Sequence, residues 1–385
     1  MNFSLPSSRA VLAGFILVAV LAGGVLAWET RSLTIRVAED RARQRQSVSY
    51  ESYRSERLKR TVVLRASPSS FERRLGYADL EPFVQIAPGD CRVDPFFSRQ
   101  VSDALEGGGV VFRPQLDVSD FEAFRKADPQ SVRYVRKGRG IQEKEFEYRL
   151  CQALRGDVDP AYVDVPLRNY AYDADTVRGL QSYVRLGGSS LQKYAKLPKA
   201  SEINSLTLLG KLSGIPFARG EQVSVLRYFL DHGGADLLDS NTLVDGKILQ
   251  AEGGGACLGN TVLFRALLDA GIDVPSRRSH NIYYQNIYGK KLIGLDATVY
   301  RDGEHMVDLV FSNDRSPSIL IGARDGSGSI SVDVYGAPDG RTVQISPVRL
   351  GDLSDMEWKR VVLDSSGAVL QEDSIRSSYT EVNDF

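Results

Sequence analysis

Apolar positions change their spacing several times along the chain, and each change marks an element. The first run, Ala10 to Trp28, carries no charged side chain and is long enough to cross a bilayer as a helix. Arg9 precedes it and Trp28 sits where an interfacial aromatic belongs, so residues 1–30 read as a signal anchor. Val25-Leu26-Ala27 also fits a small-residue cleavage site, which leaves a cleaved signal peptide as the alternative. Residues 31–60 are polar and basic and read as a stalk or solvated helix. Their excess of Lys and Arg favours a cytoplasmic location for the rest of the chain, but the positive-inside rule weakens for long translocated domains. The outside is the preferred side, on the family resemblance described below.

Residues 61–170 read as a small α+β domain. Asp94-Pro95 is a helix start, followed by Phe97, Val101 and Leu105 at helical spacing and a stop at Gly107. Val132, Tyr134 and Val135 suggest a strand. Phe146, Leu150 and Leu154 recur every four residues as a second amphipathic helix, and Val163 and Val165 alternate in a strand after it. Beyond this, helices are expected over 175–186 and 202–213, with turns at Gly187-Gly188, Gly214 and Gly233-Gly234. His232, beside Asp231, reads as a solvated turn histidine.

From residue 280 the pattern changes to β-branched and aromatic runs: 282–284, 291–300, 306–311, 318–321 and 329–335. Turn sequences such as Arg301-Asp302-Gly303 and Pro338-Asp339-Gly340 separate them, which predicts a meandering antiparallel sheet. Trp358 to Tyr379 reads as a further hairpin around Ser365-Ser366-Gly367. The expected fold class is therefore α+β. A membrane helix comes first, then a basic stalk (31–60) and a small α+β domain (61–170). A helix plus antiparallel-sheet domain (171–345) and a C-terminal β-hairpin (346–385) complete the chain.

Composition narrows the chemistry. Forty-eight Lys and Arg balance 49 Asp and Glu for a net charge of −1, which excludes a nucleic-acid binder held by bulk charge. Three cysteines are too few for a disulfide scaffold, and no Cys/His cluster has zinc spacing, so no metal or other cofactor is called for. With three histidines, His-dependent chemistry has three candidates, His232, His280 and His305, and the last reads as exposed and uninvolved.

The most informative stretch is Glu252-Gly253-Gly254-Gly255-Ala256-Cys257-Leu258-Gly259-Asn260-Thr261. The glycines permit a backbone path closed to other residues and let a substrate approach. Val262, Leu263, Ala266, Leu267 and Ala270 come next as one helix side, so Cys257 falls at a helix N-terminus. There the dipole and the amide groups favour thiolate and supply candidate oxyanion donors. Gly253, Gly254, Gly255 and Thr261 are the expected substrate-binding and oxyanion residues. His280 and Asp296 come after in order, on two runs that pair if residues 286–290 form the turn. Asp296, between Leu295 and Ala297, needs a partner. His280 supplies one, giving a Cys257–His280–Asp296 catalytic set. The plainer reading makes Cys257 a small buried hydrophobe. In an exported chain Cys91 and Cys151 could pair and leave Cys257 free; the alternative for these two is core packing.

On these residues the segment from about Ser182 to Val343 resembles the VanW domain, named for a protein of the B-type vancomycin-resistance cluster. The matching pieces are Gly253-Gly254-Gly255-Ala256-Cys257, Thr261, Ala270-Gly271, Arg278 with His280, Asp296-Ala297-Thr298-Val299, and Asp308-Leu309-Val310-Phe311 followed by Asn313. Asn204, Gly214 and Gly220-Glu221 fit more loosely. The family usually has Gln after the cysteine, where this chain has Leu258, so a Gln-dependent substrate contact is in doubt. Residues 61–170 resemble the peptidoglycan-binding modules that precede some bacterial cell-wall transpeptidase domains.

The resemblance implies a single-pass, extracytoplasmic protein of the cell membrane, held by residues 10–28, with peptidoglycan or its stem peptides as partner and no nucleic acid. It implies an L,D-transpeptidase-like cysteine acyltransferase. The same residue order also resembles transglutaminase-like thiol peptidases, and a non-catalytic cell-wall binding protein is the third reading.

Overall fold

A computed structural model describes residues 47, 49–67, 69, 71–156, 160–192, 197–232, 237–244, 247–303 and 305–383. The anchor expected over residues 1–30, most of the basic stalk and the Gly233-Gly234 turn lie outside the described residues. Among the described residues no helix is long and apolar enough to cross a membrane. Contacts divide the chain into two compact units: residues up to Ser98 with Glu143–Val165, and Arg99–Gln142 with Pro166–Phe385. The segment expected as one domain over 61–170 is therefore not contiguous: residues 99–142 group with the second unit, and the later break lies after Val165.

The first unit centres on a three-stranded sheet in the order Phe71–Leu75, Val62–Ala66, Ala161–Asp164, the last strand joining in parallel. Helix Glu143–Arg155 forms because Phe146, Leu150 and Leu154 fall on one stripe, all fully buried. The stretch read as a solvated stalk ends as part of this unit. Residues 49–58 are helical, Leu58 is buried, Arg54 donates to the carbonyls of Glu81 and Val84, and Arg57 donates to those of Arg155 and Gly156.

Cys91, on the hairpin Val84–Ala87/Asp90–Val93, is bonded to Cys151 of the helix, with Cα atoms 5.9 Å apart. The bridge closes a 60-residue loop, and the chain-entropy relation puts its stabilisation at about 4 kcal/mol. Cys257 is the free cysteine. Alkylating the denatured chain without reduction should add a single label, at Cys257, and prior reduction should raise this to three; mass measurement reads both, and extra labels before reduction would refute the bridge.

The second unit is built around helix Ala256–Asp269. Its Val262, Leu263, Phe264, Ala266, Leu267 and Leu268 are each at most 2 % exposed. Such a helix must be covered on every side. Helix Lys199–Leu212 covers one side, and a four-stranded sheet in the order Val184–Gln192, Ser329–Gly336, Ser318–Asp325, Pro216–Ala218 covers another. Each large side chain so buried contributes roughly 1.5–3 kcal/mol.

Several expectations are corrected here. The helix expected over 175–186 ends at Gln181, and Gly187-Gly188 lies inside strand Val184–Gln192. The glycines are there for closeness: a Cβ on Gly187 would meet Ala270 N at 2.3 Å, and one on Gly188 would meet Asp333 Oδ1 at 2.2 Å. The single meander is replaced by separate sheets, although the 318–325/329–336 and 356–363/369–377 hairpins form with their expected turns. Strand Ile282–Tyr284 pairs in parallel with Glu381–Asn383 instead of with the 291–300 run.

His232 is 7 % exposed, where a solvated residue was expected. It stacks on Tyr228 at 3.9 Å between ring centroids, and its Nε2 lies 3.3 Å from Glu106. The hydrogen bond from His232 holds the Glu106 carboxyl below its usual range against the upward push of burial, with Arg113 adding its charge. His305 is exposed on the hairpin Tyr300–Asp302/His305–Val307.

Candidate active site

Strand Lys247–Glu252 leads into the three glycines, and Gly255, at φ +95°, is the left-handed residue that starts the cysteine helix. The turn is bolted to helix Lys199–Leu212. The Asn204 amide donates to the Gly254 carbonyl at 2.9 Å and the Ser205 hydroxyl to the Gly255 carbonyl at 2.7 Å. The result fixes Cys257 in the first helical turn, partly exposed.

This geometry reassigns part of the expected oxyanion set. The Gly253 amide donates to Leu238 O and the Gly254 amide to Ala251 O, so neither serves a substrate. Thr261 is fully buried, donating to the Ala297 carbonyl and accepting from the Ala297 amide at 3.0 Å. It positions the 295–299 segment and does not reach a substrate. Asn260, also fully buried, donates to the carbonyls of Ala297 and Thr298.

Residues 295–299 belong to no helix or strand. Side chains replace the missing ladder: Arg265 Nε donates to Leu295 O and Arg277 Nε to Asp296 O, both at 2.5 Å. The Val299 amide donates to Cys257 Sγ at 3.4 Å, and the Thr298 hydroxyl lies 3.4 Å from the same sulfur. The paired strands expected to bring His280 and Asp296 together are absent, yet the two residues meet. Asp296 Oδ2 accepts from His280 Nδ1 at 2.5 Å and from the His280 backbone amide at 2.8 Å. With Nδ1 committed to the carboxylate, Nε2 is the nitrogen that remains, and His280 is electrostatically coupled to the sulfur.

The three groups tune one another. Burial pushes the Cys257 thiol up, but the hydrogen bond and charge of His280, with support from Thr298 and Val299, outweigh it and lower the thiol pKa below its ordinary value. Burial would depress His280, but Asp296 and Cys257 raise it to about 10. Asp296 is held well below the usual carboxylate range, since His280 and Arg277 overcome its desolvation. Both shifts act in the direction that favours a thiolate beside an imidazolium backed by a carboxylate, the arrangement a sulfur nucleophile needs. Among the described residues no group of three His, Cys, Asp or Glu side chains is arranged to hold a metal.

Three further side chains complete the site. Arg277 Nη2 lies 3.3 Å from Asp296 Oδ1, the Tyr379 hydroxyl donates to the same oxygen, and the Tyr288 hydroxyl lies 3.3 Å from His280 Nε2, its ring stacked on the imidazole at 5.0 Å. Arg277 and Tyr288 flank His280 in sequence, but nothing local separates them from ordinary surface or core residues. Tyr379 lies 83 residues from Asp296 and carries no local signal at all.

No curated protein and no solved structure matches the chain. The matched family segment takes in Cys257, His280 and Asp296, leaves out Tyr379, and suggests a protein of the cell envelope. Residues 208–335 match the family model described as VanW like protein, and over that segment the chain carries a VanW-like domain.

Proposed function

We propose that the chain is a cell-envelope cysteine acyltransferase acting on peptidoglycan stem peptides. The observation that carries this reading is the set Cys257, His280 and Asp296, with Nδ1 of His280 on the carboxylate and the sulfur at a helix N-terminus. The Cys257 thiolate attacks a peptide carbonyl carbon. The developing oxyanion is met by the first-turn end of the cysteine helix, where the dipole favours negative charge. As the C–N bond breaks, the His280 imidazolium gives its proton to the leaving amine, and a thioester remains on Cys257. An amine from a second stem peptide then attacks the thioester and loses its proton to His280. The C–S bond breaks, the thiolate returns, and a cross-link is formed. Water in place of that amine gives hydrolysis. Asp296 keeps the imidazole oriented and stabilises its charge throughout.

The Cys91–Cys151 bridge supports an oxidising, extracytoplasmic setting, and the Ala10–Trp28 run supplies an anchor for it. The protein is expected to act there on cell-wall peptide with no cofactor. The test is full-length protein in detergent incubated with purified muropeptides and read by mass spectrometry. Cross-linked or trimmed muropeptides should appear, a thioester adduct should map to Cys257, and Cys257→Ala should abolish both. Wild-type protein that yields neither product nor adduct would refute the reading.

A further inference from the structure

The Cys257 site is closed from behind by residues far down the chain. After the antiparallel sheet Thr342–Arg349, Met356–Leu363, Val369–Ser377 comes strand Glu381–Asn383, paired with Ile282–Tyr284. The Tyr379 side chain, 4 % exposed, reaches Asp296 Oδ1 with its hydroxyl and accepts from the Gly294 amide at 3.1 Å. Its ring meets Tyr283 edge-on at 5.3 Å. Its own amide is tied to Leu353 O at 2.8 Å, and the next amide, of Thr380, to Asn281 O at 2.8 Å. The reach of this hydroxyl is thus fixed from both sides.

We propose that Tyr379 is a positioning residue for the Cys257–His280–Asp296 set, so that the C-terminal sheet, outside the matched family segment, is an integral part of the site. The inference rests on the acyltransferase reading of these residues. Asp296 has two oxygens with separate duties: Oδ2 serves His280, while Oδ1 is held by Tyr379 and, at 3.3 Å, by Arg277. With the hydroxyl gone, Arg277 is the remaining side-chain donor to Oδ1, and it draws the carboxylate away from His280. The imidazolium loses support, and with it the thiolate. The ionisable groups that face the set are Arg277 beside His280, Tyr283 and Tyr288 from residues 283–288, Arg265 from the cysteine helix and Tyr379 itself. Burial, and then the Asp296 charge, push the Tyr379 phenol far up, so it remains a donor across the working range.

Tyr379→Phe keeps the ring and removes the hydroxyl. The readout is the pH midpoint of Cys257 alkylation by iodoacetamide in the full-length protein. The midpoint is expected to rise by about one pH unit, roughly a tenfold slower reaction on the acid side. Trp358→Phe is the control. It removes a comparable hydrogen bond, from Nε1 to Ile293 O at 2.8 Å in the same sheet, and should lower the melting temperature while leaving the midpoint in place. A Tyr379→Phe midpoint that stays or falls, or an equal rise in Trp358→Phe, would overturn the inference. A wild-type thiol that ionises like free cysteine would instead overturn the acyltransferase reading beneath it.

Discussion

Replacing His280 with alanine is expected to slow alkylation of Cys257 at about pH 6 by on the order of 100-fold, since a free thiol with pKa about 8.5 is only about 0.3 % thiolate there. On the acyltransferase reading, the wild-type pair spans the range from the lowered thiol pKa up to the loss of the His280 proton at about 10. Reactivity should therefore be high and nearly flat between those limits. Without His280 the dominant remaining influence is burial, which acts upward on the thiol. The reactive form then appears only on the alkaline side, where a more basic thiolate is also a better nucleophile, so the deficit should close as pH rises. Stopped-flow alkylation with peptide mapping measures this directly. A variant whose acid-side rate equals that of the wild type would make the sulfur structural and end the nucleophile reading.

Gly255→Ala should be strongly destabilising. The residue sits at φ +95°, which costs an alanine about 1–2 kcal/mol in backbone strain. The larger penalty is steric: a Cβ would lie 2.4 Å from Ser201 Cβ, 2.5 Å from Ser201 Cα and 2.6 Å from Ser201 O. Two of these are backbone atoms of the helix that also carries Asn204 and Ser205, the bolts of the glycine turn. The helix must shift or the turn must open, and a loss of more than about 4 kcal/mol is expected. Thermal melting and soluble yield measure it. Adding Ser201→Gly should not rescue the fold, because the Cα and carbonyl contacts persist. A Gly255→Ala protein that melts within a few degrees of the wild type would show that the helix and the turn are not locked together.

The readable parts of this site are those whose signal is local. Three glycines before Cys257, an apolar stripe after it and a carboxylate inside an apolar run each state a requirement on a few neighbouring residues, and all three are met. The 291–300 run misleads because apolar composition indicates burial and extension without saying what satisfies the backbone. Thr261, Arg265, Arg277 and Cys257 supply those partners from two other segments, so no neighbouring strand is needed. Gly187-Gly188 misleads for a related reason. A glycine pair signals a turn, but here it signals the close approach of the cysteine helix terminus, a fact held by Ala270. Tyr379 acts at a separation of 83 residues, and its effect depends on a sheet that must first fold.

The order of the cysteines along the chain bears on how the protein can be made. Cys91 and Cys151 both precede Cys257. If the chain is exported as proposed, with the amino-terminal side leading, the native partners enter an oxidising space together before the third thiol arrives, and the correct bridge can close without competition. Refolding of the whole reduced chain removes that sequence of events. All three thiols are then present at once, and three pairings are open, of which one is native. A variant lacking Cys257 should therefore refold to the native pairing more cleanly than the wild type, while on the envelope reading export should show little difference between the two.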